Sequence, residues 1–377
     1  MKSNYDILGN HIRLVDNRNR EMISENVIGI NIDKYFMPSV ANVIGTDLSK
    51  YKLITKGLFA CNPMHVGRDE RLPVALYTDD TPAIVSPAYF MFKVIDNNIL
   101  NEEYLMLWFR RSEFDRICWL KTDGSVRGGI SWEDICRIEL PIPPLDKQKE
   151  IVKAYKTITD RIALKQRINE NLTEQLHKYL LNFIEQDSTK KIGKLKDYST
   201  MQYGYTETAL SEDTGTNFLR ITDIAQSHID WNSVPFCKIS DSDLKKYHLS
   251  NGDVVVARTG ATVGVAKMIG NNIPNSVFAS FLVRIRPIDD IYKYYFGLLI
   301  TSKIFLEYVR NNAGGSAQPQ ANPPLLGEFE LIIPDKSRMS IFNDNVSVFL
   351  KSIEVNEFEI SKLNDISKTL ITMISSC

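Results

Sequence analysis

The chain contains an internal repeat, and this repeat limits its architecture more than any local motif does. The segment Arg137–Pro143 reads RIELPIP, and Glu328–Pro334, 191 positions later, reads EFELIIP. Upstream, the pair Gly124-Ser125 falls on Gly315-Ser316 at the same spacing. Because two separate landmarks share one offset, the sequence predicts two successive copies of one structural unit.

Each copy ends in a long amphipathic run. Apolar residues recur three or four positions apart, and prolines precede both runs without interrupting either. The runs predict helices of about 38 residues, or about 57 Å at 1.5 Å per residue. Because the apolar stripes match, we expect an antiparallel coiled coil, with separate surface helices as the alternative. The matching pairs are Ile151/Phe342, Tyr155/Val346, Ile158/Phe349, Ile162/Ile353, Leu172/Leu363, Tyr179/Leu370 and Phe183/Ile374.

The segments outside these helices have a different character. Short β-branched or aromatic runs such as Val254–Ala257 alternate with turn signals such as Asn251-Gly252-Asp253. One or two amphipathic helices follow in each copy. The predicted fold class is therefore α+β, with two similar domains separated by two long antiparallel spacer helices and related by a pseudo-two-fold axis. The predicted bounds are 1–145 and 189–335 for the domains, 146–188 for the central spacer helix and 336–377 for the C-terminal one.

Composition argues against several functional classes. The five cysteines and five histidines are scattered and lack metal-ligand spacing, so we expect reduced thiols and no metal site. No run approaches the roughly 18 apolar residues that span a bilayer, which predicts a cytoplasmic protein. A net charge of −1 is unusual for a nucleic-acid-binding protein. It implies that basic residues are segregated onto one face or that partner subunits supply phosphate contacts.

Enzymatic signatures are incomplete, so we expect no catalysis and no cofactor. Gly260–Lys267 resembles a phosphate loop, but no Ser or Thr follows its lysine. Asn322-Pro323-Pro324-Leu325 resembles an adenine-methyltransferase loop but has leucine in the position of the stacking aromatic residue. The sequence contains no G-x-S-x-G motif and no glycine-rich turn for a methyl donor.

The candidate binding residues lie in loops. Arg258–Gly264 follows a predicted strand and combines an arginine, hydroxyl groups and glycines, with Lys267 just beyond it. Arginine binds guanine O6 and N7 bidentately, and glycine allows the backbone to approach phosphates. The alternative is an ordinary hairpin whose glycines serve only turn geometry.

A second pair of loops occupies corresponding positions in the two copies. Gly314–Asn322 offers three side-chain amides, which match the adenine N6/N7 edge, and Lys121–Gly129 carries different polar groups on a similar frame. Two domains that read unlike half-sites need such a difference. The alternative is a pair of merely solvated loops.

At these residues the chain resembles the specificity subunit of type I restriction-modification systems, over essentially its whole length. The segments Cys61–Gly67 (CNPMHVG) and Ala83–Tyr89 (AIVSPAY) are similar to segments of the family's target-recognition domains. Gly252–Gly264 and Gly315–Asn322 resemble its G-D-V-x-x-x-R-T-G-A-T-x-G and G-S-x-Q-P-x-x-N runs. Pro141–Val152 matches the P-x-P-P-L-x-x-Q-x-x-I-V entry to a spacer helix. The second entry, Ile333–Phe342, lacks the double proline and the glutamine.

The resemblance implies a non-catalytic subunit that binds double-stranded DNA at a bipartite, asymmetric site. Its spacer helices would set the gap between the half-sites and dock two methyltransferase subunits, and motor-nuclease subunits would join the complex. We expect bases to be contacted by Ser125, Arg127, Arg258, Thr259, Thr262, Gln318 and Gln320. We expect phosphates to be contacted by Arg68, Lys121 and Lys267, with Ser316 also in the DNA interface.

Other functions stay open at this point. The chain could be the specificity subunit of a related methyltransferase-nuclease system. It could also be a tandem scaffold that binds only proteins, which the weak net charge favours and the unlike polar loops disfavour. A self-sufficient methyltransferase or nuclease would require cofactor binding by the isolated chain.

Overall fold

The computed structural model describes residues 4–39, 45–64, 66–122, 128–188, 191–226, 228–314 and 320–374. The chain divides into two compact units. Unit 1 comprises Met1–Arg161 with Leu363–Cys377, and unit 2 comprises Ile162–Lys362. Each unit contains parts of two long helices, Leu145–Glu185 and Lys336–Met373.

Unit 1 is built from short strands and helices. Its strands are β1 (Tyr5–Ile7), β2 (Ile12–Leu14), β3 (Ile28–Ile30), β4 (Phe36–Pro38), β5 (Lys52–Ile54), β6 (Phe59–Cys61), β7 (Val74–Leu76), β8 (Ala83–Val85), β9 (Phe90–Val94) and β10 (Glu139–Pro141). Its helices are α1 (Val66–Asp69), α2 (Glu102–Phe109), α3 (Ser112–Leu120), α4 (Trp132–Cys136) and the first part of α5 (Leu145–Glu185).

An antiparallel sheet forms the centre of unit 1. Its strand order is β2-β9-β6-β7, and the pairs β1-β10, β3-β4 and β5-β8 lie outside it. Strand β6 is buried along its whole length, and Phe59 stacks on Phe92 of β9 with ring centroids 5.1 Å apart. The apolar helix α2 contributes Phe109, which meets both rings edge-on. This aromatic cluster joins sheet and helices into one core.

Unit 2 follows the same plan. Its elements are the remainder of α5, β11 (Ile192–Lys194), α6 (Leu195–Tyr198), β12 (Ser199–Tyr203), β13 (Asn217–Leu219), α7 (Ile221–Ile224), α8 (Asp241–Tyr247), β14 (Val254–Ala257), β15 (Ala266–Met268), β16 (Ser276–Phe278), β17 (Leu282–Pro287), α9 (Lys293–Ile300), α10 (Lys303–Asn312), α11 (Pro323–Gly327), β18 (Glu330–Ile332) and most of α12 (Lys336–Met373). The four-stranded antiparallel sheet has the order β12-β17-β14-β15.

The two sheets confirm the predicted repeat. Strands β12, β17, β14 and β15 occupy the places that β2, β9, β6 and β7 occupy in unit 1, and all neighbours in both sheets are antiparallel. The pairs β1-β10 and β11-β18 also correspond, each joining the first strand of a copy to the strand before its long helix. One difference is that β5-β8 is antiparallel whereas β13-β16 is parallel.

The start of α5 is held by Gln148, the glutamine of the proline-rich entry motif. Its buried side chain donates from Nε2 to the carbonyl oxygens of Ile99 and Pro143, both at 2.8 Å. Its Oε1 accepts the Asn101 backbone N–H at 2.8 Å. In the second copy, Met339 stands at the corresponding position and is fully buried in the apolar core. The departure from the motif therefore replaces a polar anchor with apolar packing.

Within unit 2, α5 and α12 run antiparallel. Near the middle of both helices, Lys165 Nζ donates to Asn356 Oδ1 at 2.8 Å and pairs with Glu359 at 2.9 Å. Asn356 also donates to Asn169 Oδ1 at 2.7 Å. About three turns beyond Asn169 on α5, Tyr179 stacks on Phe342 of α12. The partner numbers therefore fall along α12 as they rise along α5. Partly buried amides inside an apolar seam favour one register over its neighbours.

Within unit 1, the first turns of α5 share a core with the end of α12. Ile151 and Val152 belong to the same buried cluster as Ile374. Tyr155 packs against that cluster, and its hydroxyl accepts from Arg110 Nη1 at 2.7 Å. Helix α5 has 41 residues and α12 has 38, close to the 38 residues that the apolar stripes predict.

Candidate nucleic-acid interface

Three strand ends meet at one end of the sheet in unit 2. Because β17 is antiparallel to both β12 and β14, the start of β17 lies beside the last residues of those strands. Tyr203 ends β12, Arg258 follows β14, and Phe281 precedes β17. We call these three residues and their loops the sheet-end cluster.

The two polar loops predicted in the second copy come together at this sheet end. The Ala321 backbone N–H donates to the Arg258 carbonyl oxygen at 2.8 Å, and Thr259 forms an antiparallel bridge with Gln320. Gln320 is exposed, and Thr259 is partly exposed. Ser316 and Gln318 lie outside the described residues. The structure thus joins the arginine loop to the amide loop through backbone pairing.

Glycine shapes the tip of the arginine loop. Gly260 has a φ of 74° and Gly264 a φ of 83°, both in the left-handed region that disfavours other residues. A Cβ at Gly264 would also lie 3.0 Å from a methyl carbon of Val309. Between the two glycines, Thr262 closes a short 3₁₀ turn and is partly exposed. These glycines serve turn geometry, while the hydroxyl of Thr262 stays on the loop.

The side chain of Arg258 is fixed in place. Its guanidinium carbon lies 4.7 Å from the centroid of the Tyr203 ring, and Nη1 donates to the Ser280 carbonyl oxygen at 3.2 Å. Its Nε is buried and has no hydrogen-bond partner among the described residues. Stacking on an aromatic face orients the planar fork and leaves donors for a ligand.

Lys267 has a different environment from the other predicted contacts. It lies in β15 opposite Val255, and Glu357 of α12 is its electrostatic partner. Burial lowers the pKa of Lys267, and the Glu357 charge opposes this shift. Burial likewise raises the pKa of Glu357. The lysine is therefore engaged with the long helix, whereas Arg258 and Gln320 lie at the sheet end.

Unit 1 repeats the sheet-end arrangement with other residues. The Ile130 backbone N–H donates to the Pro63 carbonyl oxygen at 3.1 Å, and the Gly67 N–H donates to the Gly128 carbonyl oxygen at 3.0 Å. The segment after β6 is thus paired with the end of the 121–129 loop, as the segment after β14 is paired with Gln320-Ala321. Ser125 and Arg127 lie outside the described residues.

The two described candidate cations of unit 1 are both exposed. Arg68 lies on α1, where Asp69 accepts from Nε at 2.6 Å and from Nη2 at 2.9 Å and raises the pKa of the arginine. Lys121 terminates α3 and is solvent-exposed. Both residues flank segments that approach the end of the 121–129 loop, and the Arg68 guanidinium already pairs with Asp69.

Several motif residues prove to be structural. Asn322 caps α11 by accepting from the Leu325 N–H at 2.9 Å, with prolines in the first turn of that helix. Asp253 is buried and accepts two bonds from Arg286, at 2.6 and 2.7 Å. These contacts explain the Asn-Pro-Pro and Gly-Asp-Val patterns by fold alone.

Sequence reasoning missed the aromatic members of the sheet-end cluster. Tyr203, the last residue of the partly exposed strand β12, is 41% exposed, and Phe281, which precedes the largely buried strand β17, is 56% exposed. Neither lies in a motif, and their only sequence signal is an aromatic residue at a strand boundary. Their proximity to Arg258 depends on strand order, which the sequence does not display.

Three other features concern metal binding, membrane insertion and cysteine chemistry. In the part of the chain that the structure describes, no three His, Cys, Asp or Glu side chains form a metal-binding group. No helix among the described residues is long and apolar enough to cross a membrane. Cys61, Cys118 and Cys237 are buried free thiols, and burial raises the pKa of Cys61 to about 12.

Comparisons with known proteins find similarity to DNA specificity subunits. A family model described as the type I restriction modification DNA specificity domain matches residues 74–174. A type I restriction enzyme MjaVIII specificity subunit from Methanocaldococcus jannaschii is 22% identical over 309 residues, covering 74% of this chain and 70% of the relative. The EcoKI specificity subunit of Escherichia coli is 25% identical over 190 residues, covering 44% of this chain and 40% of the relative.

A solved structure shows the same fold. The crystal structure of a type I restriction-modification S subunit from M. genitalium aligns with a TM-score of 0.53 and 13% identity, covering 99% of this chain and 96% of that chain. The fold is thus that of an S subunit, and residues 74–174 match a DNA specificity domain. The chain is therefore similar to the specificity subunits of type I restriction-modification systems.

Proposed function

We propose that this chain recognises a bipartite, asymmetric DNA site and directs methyltransferase and restriction subunits to it. Residues 1–145 and 189–335 would each read one half-site. The observation that carries the proposal is the repeated sheet end, where the same backbone pairing presents different side chains in the two copies. Equivalent frames with unlike polar residues suit two unlike half-sites.

In the second domain, the proposed base contacts centre on Arg258. Its guanidinium is suited to guanine O6 and N7, and the adjacent Gln320 amide is suited to an adenine edge. Thr259 and Thr262 would complete this surface, together with Ser316 and Gln318 from the same loop. Replacing Gln320 should relax specificity at one half-site only, because the other half-site is assigned to the first domain.

In the first domain, Ser125 and Arg127 are the proposed base contacts. Arg68 and Lys121 are the proposed phosphate contacts, and both are exposed. A phosphate contact by Lys267 would compete with the Glu357 charge beside it. With a net charge of −1, the chain would depend on partner subunits for much of its phosphate binding.

The long helices would act as a spacer and as a docking surface. Two rigid readers on a fixed spacer bind half-sites at a fixed separation, as dimeric repressors do. On α12, Ile341, Val348 and Val355 recur every seven residues and are 62%, 65% and 57% exposed. An exposed apolar row of this kind supports docking of two methyltransferase subunits on the spacer helices.

Methylation profiling tests the proposal directly. Genomic DNA from a host with the methyltransferase subunit should carry methylation at one bipartite motif when this chain is present and lose it when the chain is deleted. A gel shift of the assembled complex should then prefer that motif over a duplex in which either half is scrambled. An unchanged methylation pattern together with equal binding to all duplexes would refute the proposed function.

A further inference from the structure

Phe281 is an exposed aromatic residue that is not a member of the buried hydrophobic clusters of unit 2. It occupies the turn between β16 and β17. Its contribution to the fold runs through its carbonyl oxygen, which accepts the Arg258 backbone N–H at 3.0 Å. In unit 1, Tyr89 stands just before β9 as Phe281 stands just before β17, but Tyr89 packs against a buried cluster that includes Met91. The same position is thus turned toward solvent in the second copy.

The neighbours of Phe281 connect it to the proposed guanine contact. Its preceding residue, Ser280, accepts the Arg258 Nη1 hydrogen bond, and the guanidinium stacks on Tyr203. Arg258 and Phe281 therefore belong to adjacent backbone segments joined by a hydrogen bond. Adjacent strands lie about 4.8 Å apart, which corresponds to one or two base-pair steps of about 3.4 Å.

The chemistry of the major groove limits what an apolar side chain can recognise there. An arginine that binds guanine O6 and N7 enters this groove, so a neighbouring side chain at the same sheet end faces the same groove. On the major-groove edges of the four bases, the C5-methyl group of thymine is the apolar feature. Phenylalanine offers an apolar contact for that methyl group and no hydrogen bond to any base.

We propose that Phe281 is a specificity-determining residue that contacts the C5-methyl group of a thymine within about two base pairs of the guanine bound by Arg258. This inference rests on the proposed function. It adds the identity of a second recognised base in the half-site of residues 189–335 and the chemical group by which it is recognised.

Replacing thymine with deoxyuridine tests the contact, because it removes only the methyl group. The assembled complex would be titrated with its methylation site, in which each thymine of the half-site is replaced in turn. At one thymine, wild type should bind the deoxyuridine duplex about fourfold more weakly, the value for one buried methyl-sized group. F281A should bind the thymine duplex more weakly than wild type and should not distinguish thymine from deoxyuridine at that position.

Ile288 supplies a matched control. It is 64% exposed and follows β17 at the opposite end from Phe281. I288A should keep the wild-type ratio of thymine to deoxyuridine binding, and both variants should melt at the wild-type temperature because neither side chain is buried.

Three results would overturn the thymine contact. One is an F281A variant with the wild-type thymine preference, and another is equal weakening on every duplex, which would indicate non-specific stacking. The third is a wild-type complex that recognises its site but is indifferent to every methyl group near the guanine. A wild-type complex without any sequence preference would instead refute the proposed function itself.

Discussion

Replacing Arg258 with lysine separates base recognition from charge at the sheet end. Lysine keeps the positive charge but loses the planar fork that lies 4.7 Å from the Tyr203 ring centroid and donates to Ser280. A bidentate arginine-guanine pair gives about 1–3 kcal/mol of discrimination, or about 5- to 150-fold. We expect R258K to lose most of this preference at one base pair while the salt dependence of binding stays the same.

The assay compares binding of the assembled complex to its site and to single-base variants of that site at two salt concentrations. R137K is the control, because Arg137 is an exposed arginine next to Asp134 and outside the proposed interface. A uniform affinity loss across both half-sites would contradict base recognition by Arg258. So would a reduced salt slope with unchanged base preference, because that pattern is expected of a phosphate contact.

Three further predictions concern the framework. The buried Lys34 ammonium lies 2.8 Å from the Asp115 carboxylate, so D115A leaves this charge without its partner. We expect D115A to lower the free energy of unfolding of unit 1 by about 3–5 kcal/mol in urea. A loss below about 1 kcal/mol would contradict this. Q148A removes the hydrogen-bond partner of three backbone groups, so we expect the free energy of unfolding to fall by about 3 kcal/mol. An unchanged thermal unfolding curve would refute this expectation. Hydrogen bonds from Lys194 and Lys196 lower the pKa of Glu328 from 4.5 to about 2. The ionised carboxylate therefore stabilises the folded state above pH 4.5, and this contribution is lost as pH falls toward 2. E328Q should flatten that part of the acid-unfolding curve, and an identical curve would argue against the ion pair.

The sequence by itself determined the repeat and the two long helices. These features depend on local periodicity, proline placement and a constant offset, all of which can be read along the chain. The structure has its two long helices, α5 (Leu145–Glu185) and α12 (Lys336–Met373), where these sequence signals occur. The loop segments were also identifiable, because polar and glycine-rich runs are local signals.

Only the tertiary structure decided which side chains meet. Arg258 and Gln320 are distant in sequence and become neighbours through one bridge, while Tyr203 and Phe281 reach the same place through strand order. Lys267 is engaged with Glu357 because β15 packs near a helix from the end of the chain. Such contacts depend on strand pairing and register between distant segments, whereas the sequence pattern records the preference of each segment alone.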